Sequence, residues 1–515
     1  MILKRVLLLV VFQATILSLS FGQSIDLSAP LSKQQMYEDF DEFVNIVAQC
    51  NAQLSIRKSV TGIDHLQQIK DLRLKIESTD TYYDFLTLLK EGLNNLCDIH
   101  AEMATSYYDF DNIENIDTAV IKPINQFIEN YLRSSYYYEK MFSGARYFDG
   151  IYRLYGFYSF IDEKENDTIS LHMPQIISYN DEPFELYVQK QKYKLRWDYQ
   201  RKQYFSYTPY FPAFEGVLTV KNGKDTITIN LQSHNTHFIV HLSDTMIAKS
   251  SYTNLPFRPL GEDRSKILYF EEDKVLYIYL SRMYNIDTDI IKKIGSGKQI
   301  NKVIIDVRNN NGGNDLIWQS VLKAIIADTL PYDVQMAFKN TDKIKKYYSY
   351  SNTFTNIDSL KSVEFDWMPN EEFLVTNFTD LVIAPDSNSL KYKGKIYVLQ
   401  NENVYSAAHS LTSYAKQVEQ LISVGYPTGL LSGLGLNPAL FQLPHSKFSF
   451  RLETAIDVTD VKAPIDVYQD FPEILIQLPL EERIKDLDYR FIYDQYCEEF
   501  LFKHDYLFKK VLEMK

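Results

Sequence analysis

The amino-acid sequence predicts an α/β fold, preceded by a helical domain and a β-rich module. Short runs rich in Val, Ile and Tyr occur at residues 302–307 and 395–400. Helical apolar patterns follow them at residues 315–327 and 407–422. Because strands that alternate with helices are typical of a buried, largely parallel sheet, the second half of the chain is expected to hold an α/β core.

Two other periodicities come before this core. From residue 34 to residue 95, apolar residues recur at spacings of three and four, which indicates helices. From residue 169 to residue 242, strand patterns dominate, and Asn222-Gly223 is typical of a hairpin turn. The predicted segments are a signal peptide at 1–22, a helical domain at 23–110, an aromatic-rich connection at 111–165, a β-rich module at 166–245, the α/β core at 265–480 and a C-terminal helix at 481–515.

Composition excludes several classes of protein. The chain has 515 residues, a formal net charge of −13, 18 Gly and 17 Pro. A chain of this length buries its own cores, so it is not a small disulfide scaffold, and its Gly and Pro content is too low for a fibrous protein. Nucleic acid is not expected as a partner, because such affinities depend on phosphate contacts from basic surfaces.

The N-terminus has the order of a signal peptide. Two basic residues precede an uncharged, mostly apolar run at residues 6–21, which ends beside the small residues Ser20 and Gly22. Such a signal peptide would direct the chain to the periplasm or the outside and would be cleaved before Gln23. An uncleaved anchor is the alternative, since the run is only slightly short for a bilayer span. No later apolar run is long enough to span, so the mature chain is expected to have no stable membrane span.

The sequence predicts neither a metal nor a cofactor. The three cysteines are Cys50, Cys97 and Cys497. None of them has CxxC spacing, so burial is the expected role, and at most one disulfide is possible. Three histidines lie close together, at His234, His237 and His241. On a strand the first faces away from the other two, which argues against a zinc site.

Residues 302–315 combine a buried strand, a glycine turn and a helix start. Gly312 and Gly313 allow backbone N–H groups to approach a ligand, and a helix N-terminus favours negative charge. The loop therefore indicates a phosphate site, an oxyanion hole or a purely structural turn, although the P-loop ending and the GxGxxG pattern are absent. Asp306 and Arg308 are expected to pair within the turn.

Ser406 lies where the second strand enters its helix. Serine is a preferred helix cap, so a capping role is one interpretation. A nucleophile is the other, because Ala407 and Ala408 leave room beside the hydroxyl and the Ala407 amide can stabilise an oxyanion.

The order of these motifs resembles a known family. The Asp-x-Arg-Asn-Asn-x-Gly-Gly loop, the later Ser-Ala-Ala and Gly425-Tyr-Pro-Thr-Gly429 together resemble the tail-specific, or C-terminal processing, serine proteases. The branch that it resembles more closely is that of the tricorn core and the retinoid-binding-protein-like members, which has a histidine base. Leu96-Cys-Asp-Ile-His-Ala is similar to that branch's Asp-Gly-His-Thr segment, with Ile99 and Ala101 as departures. The resemblance implies a crotonase/Clp-like core and a degenerate PDZ-like module at 166–245.

Carried over to this sequence, the resemblance implies Ser406 as nucleophile and His100 as its general base. It places the oxyanion hole at the Ala407 amide and the Gly312-Gly313 loop. A serine hydroxyl needs such a base at neutral pH, and histidine has a suitable pKa.

The resemblance also implies a carboxylate that orients the histidine. Counting back from Pro472 gives Asp466, and Asp460 and Asp457 are the alternatives. The lysine base of the Ser-Lys branch is disfavoured, because no lysine occurs between positions 416 and 447. His409, one helical turn after Ser406, is an alternative base.

These features predict an exported serine endopeptidase that cleaves extended or unfolded polypeptide segments through an acyl-enzyme at Ser406. Strand addition at the PDZ-like module would hold the polypeptide substrate. One alternative is a catalytically inactive family member that acts as a peptide- or ligand-binding protein. Another is a phosphate-binding α/β enzyme that uses the Gly312-Gly313 loop.

Overall fold

The structure is a computed structural model of the chain. It describes residues 31–98, 100–104, 124, 126–128, 130, 145–148, 151–154, 157–162, 167–172, 174–190, 196–198, 203–205, 216–222, 224–230, 265–348, 353–359, 367–401, 403–428, 438–459, 461–468, 470–476, 478 and 497–514. Helices and sheets are both present, which confirms the mixed α/β prediction. Within these ranges, the helices are all too short or too polar to cross a bilayer.

The first described segment is helical, as its apolar spacing predicts. Its elements are α1 (Lys33–Cys50), α2 (Leu54–Thr61), α3 (His65–Asp71), a 3₁₀ helix (Leu72–Ser78) and α4 (Tyr82–Asn95). Ser32 and Gln35 form a capping box at the start of α1, and Thr81 and Asp84 form another at the start of α4. These caps fix where the two longest helices of the segment begin.

The next described segments are rich in strands. They are β1 (Ala145–Phe148), β2 (Ile151–Leu154), β3 (Phe157–Asp162), β4 (Asp167–His172), β5 (Gln175–Tyr179), β6 (Glu182–Pro183), β7 (Arg196–Asp198), β8 (Gln203–Phe205), β9 (Val217–Asn222) and β10 (Asp225–Asn230), with helix α5 (Phe184–Lys190) after β6. A sheet runs in the order β1-β2-β5-β9-β10. Strands β9 and β10 form the predicted hairpin, with Asn222 opposite Asp225. Gly223, His234, His237 and His241 lie outside the described residues.

The rest of the chain forms the core and two smaller sheets. Its strands are β11 (Lys266–Phe270), β12 (Val275–Tyr279), β13 (Lys302–Asp306), β14 (Leu330–Lys339), β15 (Phe373–Ile383), β16 (Ile396–Gln400), β17 (Leu421–Gly425), β18 (Ala439–Gln442), β19 (Ser449–Leu452), β20 (Ala455–Asp457) and β21 (Ile474–Leu475). Its helices are α6 (Thr288–Gly295), α7 (Asp315–Ile325), α8 (Asp342–Tyr347), α9 (Ala407–Ala415), α10 (Glu498–Lys503) and α11 (Tyr506–Glu513), with 3₁₀ helices at Ile357–Ser359 and Pro464–Val467.

The central sheet has the order β11-β12-β13-β16-β17-β21 and is parallel from β12 onward. Every residue of β12 and β16 is buried, as expected for strands covered on both faces. Helix α7 follows β13 and helix α9 follows β16, so the loops before these helices lie together at the carboxyl ends of the strands. Helix α9 is shorter than the predicted 407–422, because residues from 421 onward belong to β17.

The N-terminal helices pack against strand β19 and the residue that precedes it. Phe43 of α1 and Phe85 of α4 share one hydrophobic cluster with Phe448 and Phe450. Met103, after α4, forms a β-bridge with Phe450 of β19. This packing carries the segment that contains His100 to the end of β19.

The C-terminal region holds two short helices, α10 and α11, in the segment for which one helix is predicted. Asp505, which caps α11, also contacts Arg308 at the end of β13. Arg308 pairs with Asp306 as predicted. The three cysteines are free thiols; Cys50 and Cys97 are buried as expected, and Cys497 is partly exposed.

Candidate active site

Ser406 lies at the N-cap of α9, in the loop that leaves the carboxyl end of β16. Its backbone has φ 54° and ψ −131°, a conformation that non-glycine residues rarely adopt. Its side chain makes no capping hydrogen bond to α9. The hydroxyl is therefore not used as a helix cap, which removes the structural alternative considered for this serine.

The glycine loop after β13 lies directly against Ser406. A Cβ atom at Gly312 would lie 2.5 Å from the Cβ of Ser406 and 2.9 Å from the amide nitrogen of Ala407. The Tyr405 amide also donates to the carbonyl of Asn310, at 3.0 Å. The two loops that carry the predicted motifs are thus in contact, and only glycine fits at position 312.

The backbone amides around Ser406 are not equivalent. The Gly312 N–H donates to Asn310 Oδ1 at 2.8 Å, so it is already occupied. Among the described residues, no acceptor takes the N–H of Gly313 or of Ala407. The available donors are therefore the N–H groups of Gly313 and Ala407, whereas Gly312 supplies the space; the oxyanion hole itself stays a prediction.

His100 lies beside the residue that precedes Ser406. Its ring centroid is 4.9 Å from that of Tyr405. Its backbone N–H donates to Asp98 Oδ1 at 2.9 Å, which fixes the chain at this point. Nδ1 of His100 lies 3.0 Å from Oε2 of Glu453. When Nδ1 carries the proton and donates a hydrogen bond to that carboxylate, Nε2 has no proton and can act as a base.

Glu453 is fully buried at the end of β19. Its second oxygen, Oε1, accepts the Ala455 N–H at 3.3 Å. Burial raises the pKa of Glu453 above its ordinary value, against the lowering effect of His100. Burial also opposes the charged form of His100, but the hydrogen bond and charge of Glu453, with Asp98 and Glu102, outweigh it and raise the His100 pKa.

The acids named from the sequence lie elsewhere. Asp466 accepts the backbone N–H groups of Lys462 and Ala463, at 3.0 and 2.9 Å, at the start of a 3₁₀ helix. Asp457 accepts the N–H of Thr459 at 2.9 Å. Asp460 lies outside the described residues. In place of Asp466, the carboxylate that contacts His100 is Glu453.

Sequence reasoning missed Glu453, although a signal was present. It is an acidic residue between strand β19, which ends at the buried Leu452, and strand β20, which begins at the buried Ala455. A carboxylate buried in such a position is costly unless it has a charged or hydrogen-bonding partner. Counting back from Pro472 leads to Asp466 and not to Glu453, because a count of positions along the chain takes no account of which side chains are buried.

His409 does not take the place of His100. It is buried in α9, and its Nε2 lies 3.8 Å from Oδ2 of Asp470. Burial lowers the pKa of His409, an effect that Asp470 opposes and Lys416 reinforces. The side chain therefore faces Asp470 beneath the helix.

Residues 274–466 match the profile of peptidase family S41. No curated protein gives a significant match.

Solved structures of peptidases resemble this chain at low identity. Mature CPAF is 13% identical, with 89% of this chain and 96% of that chain covered and a TM-score of 0.49. The photosystem II D1 C-terminal processing protease is 12% identical, with 87% and 95% covered and a TM-score of 0.38. The tricorn protease is 12% identical, with 88% of this chain and 37% of that chain covered and a TM-score of 0.34.

Proposed function

Because residues 274–466 of this chain match the profile of peptidase family S41, we propose that it is a serine endopeptidase with Ser406 as nucleophile and His100 as general base. That match supports a serine peptidase that acts on polypeptides. The observation that carries the proposal is the placement of the His100–Glu453 pair beside Tyr405, the neighbour of the strained Ser406.

The reaction follows from the roles of these groups. Ser406 Oγ forms a bond to the scissile carbonyl carbon while its proton passes to Nε2 of His100. The negative charge that develops on the carbonyl oxygen is stabilised by the N–H groups of Gly313 and Ala407. His100 then gives the proton to the leaving amine, the C–N bond breaks, and an acyl ester remains on Ser406. Water hydrolyses that ester by the same route, with His100 again as base.

Glu453 acts on this reaction through His100. Its carboxylate accepts the Nδ1–H hydrogen bond and stabilises the imidazolium that forms during each proton transfer. A lysine base has no comparable support. Lys416, at the end of α9, is paired with Asp470, and the next lysine in the sequence is Lys447.

The substrate class and compartment are parts of the same proposal. The order of charged, apolar and small residues in segment 1–22 supports export, to the periplasm or the outside. An extended or unfolded polypeptide segment is the proposed substrate, since only an extended chain reaches a serine between two loops and adds a strand to a sheet edge. Among the described strands, β10 lies at one end of the sheet order β1-β2-β5-β9-β10, and its outer edge is the proposed place for this added strand.

The test is casein hydrolysis and fluorophosphonate labelling of the chain from Gln23. Wild type is expected to cleave casein and to be labelled, whereas Ser406→Ala and His100→Ala lose both properties. His409→Gln and Asp466→Asn serve as matched controls and are expected to keep them. A folded wild type that neither cleaves nor is labelled would leave a peptide- or ligand-binding protein as the function.

A further inference from the structure

A groove rich in lysine lies on the core, between two loops that are far apart in sequence. It has a volume of about 930 Å³ and lies between the end of α6, the loop after it, and residues 388–394. Its charged lining residues are Lys292, Lys293, Lys298, Lys391 and Lys393. No Asp or Glu is among the described lining residues, although the chain has a net charge of −13.

Two of these lysines are neutralised by carboxylates outside the groove. Lys292 Nζ lies 2.8 Å from an oxygen of Asp386 and 3.3 Å from one of Asp289. Lys298 pairs with Glu271. The positive charges of Lys292 and Lys298 are therefore balanced by neighbouring carboxylates.

The other three lysines are not neutralised in this way. Within the described part of the chain, Lys293 and Lys391 form no ion pair within 4.0 Å, and Lys391 Nζ donates to the uncharged backbone carbonyl of Asp386 at 3.2 Å. Lys393 lies 3.5 Å from Asp328, but both side chains are about three quarters exposed (74% and 75%). Such exposed pairs contribute little. The groove thus holds a surplus of positive charge.

The dipole of helix α6 explains the positions of only some of the clustered lysines. Lys292 and Lys293 lie in the last turn of α6, where cations are favoured. The dipole of α6 does not account for Lys391 and Lys393, which come from the loop before β16. Like charges that converge from separate elements repel one another, and a bound anion relieves that repulsion.

Backbone donors lie in the same groove. The N–H groups of Gly297 and Gly394 have no acceptor among the described residues. Gly297 has φ +69° and open space around its Cα. A ligand oxygen can therefore approach the backbone at Gly297 as well as the ammonium groups.

The groove is separate from the candidate active site. Asn301 and Gly394 line it just before β13 and β16 begin, at the amino ends of these strands. Ser406 follows the carboxyl end of β16. A strand of this length spans about 16 Å, so a ligand in the groove does not touch Ser406.

We propose that this groove binds a small polyanion that carries two or more phosphate groups. Lysine ammonium groups bind phosphate as point charges. The volume lies within the range of small-molecule sites, about 300–1,000 Å³. A small ligand is favoured over a long nucleic acid or a membrane surface, because the net negative charge of the whole chain repels extended polyanions.

The test is isothermal titration of the chain from Gln23 with inorganic tripolyphosphate. The triple variant Lys293→Gln/Lys391→Gln/Lys393→Gln removes the surplus charge. The control Lys70→Gln/Lys221→Gln/Lys224→Gln makes the same change in net charge at exposed lysines elsewhere. Wild type and control are expected to bind one tripolyphosphate with equal Kd, and the triple variant at least tenfold more weakly. Rising NaCl concentration is expected to weaken the binding.

Two results would overturn the proposal: no binding by wild type, or equal binding by the triple variant. Binding to heparin or to anionic phosphatidylserine vesicles without binding to tripolyphosphate would also overturn it, in favour of a macromolecular partner. The Ser406→Ala variant is expected to bind tripolyphosphate as wild type does, so the result does not depend on peptidase activity.

Discussion

His100 and Glu453 are separated by 353 positions in sequence, and yet Nδ1 of the histidine lies 3.0 Å from Oε2 of the glutamate. Two features bring them together: the packing of α4 against Phe448 and the bridge between Met103 and Phe450. The proposed base is therefore positioned by the helical segment, whereas the proposed nucleophile is positioned by the central sheet. The proposed reaction therefore requires that the helical segment and the central sheet stay docked.

The pH dependence of activity is expected to report this pair. His100 must be neutral to act as a base, and its pKa is raised above 6.5, so activity is expected to rise with pH above that value. In Glu453→Gln the negative charge is lost and burial favours the neutral ring, so the acid limb moves to lower pH. The maximal rate is expected to fall by about 10²–10⁴-fold. The measurement is kcat/KM for a fluorogenic peptide against pH.

Asp466→Asn is the matched control, since Asp466 caps a 3₁₀ helix and does not contact His100. It is expected to leave the acid limb unchanged. An acid limb that stays in place in Glu453→Gln would mean that the glutamate does not set the protonation of the base.

A second prediction concerns the close approach of Gly312 to Ser406. In Gly312→Ala the new methyl group meets Ser406 Cβ at 2.5 Å and the Tyr405 carbonyl oxygen at 2.7 Å, at a φ of +91°. We expect loss of casein hydrolysis and a decrease of about 3 kcal/mol in the free energy of unfolding. Gly62→Ala has a similar φ of +73° but no atom within 4 Å, so its cost is expected to be about 1 kcal/mol. Urea unfolding measures the stability of both variants. If Gly312→Ala and Gly62→Ala lose the same free energy of unfolding, the close contacts at Gly312 have no energetic effect.

The sequence predicted the parts of the site that depend on local pattern. The strand-turn-helix units around Gly312 and Ser406 follow from apolar periodicity and glycine placement over a few residues. The contact between His100 and Glu453 does not, because it depends on how α4 packs against β19. The lysine groove was missed for the same reason: Lys293 lies at the end of α6 and Lys391 in the loop before β16, and these two segments meet only in the fold.

A third prediction concerns backbone strain at the proposed nucleophile. Ser406 has φ 54°, which glycine adopts without the clash that a Cβ atom causes. Ser406→Gly is therefore expected to be more stable than Ser406→Ala by about 1 kcal/mol, although both are inactive. The comparison uses urea unfolding at one pH. If the alanine variant is as stable as the glycine variant, the conformation at this position holds no strain.

The last prediction concerns Arg308, which lies between two buried carboxylates. Its guanidinium donates to Asp505 Oδ1 at 3.0 Å and to Asp306 Oδ1 at 2.9 Å, and Tyr277 donates to Asp306 Oδ2 at 2.7 Å. Arg308→Met leaves two unneutralised carboxylates in the interior, so we expect a loss of about 3–5 kcal/mol at pH 7. Asp505→Asn keeps one carboxylate on the arginine and is expected to cost less, about 1–2 kcal/mol.

Urea unfolding at pH 7 measures the loss of stability in Arg308→Met and in Asp505→Asn. Because Arg308 ties the start of α11 to the strand that leads into the Gly312 loop, Arg308→Met is also expected to reduce casein hydrolysis at temperatures where the chain remains folded. Full activity together with full stability would mean that the cluster has no part in holding the glycine loop against Ser406.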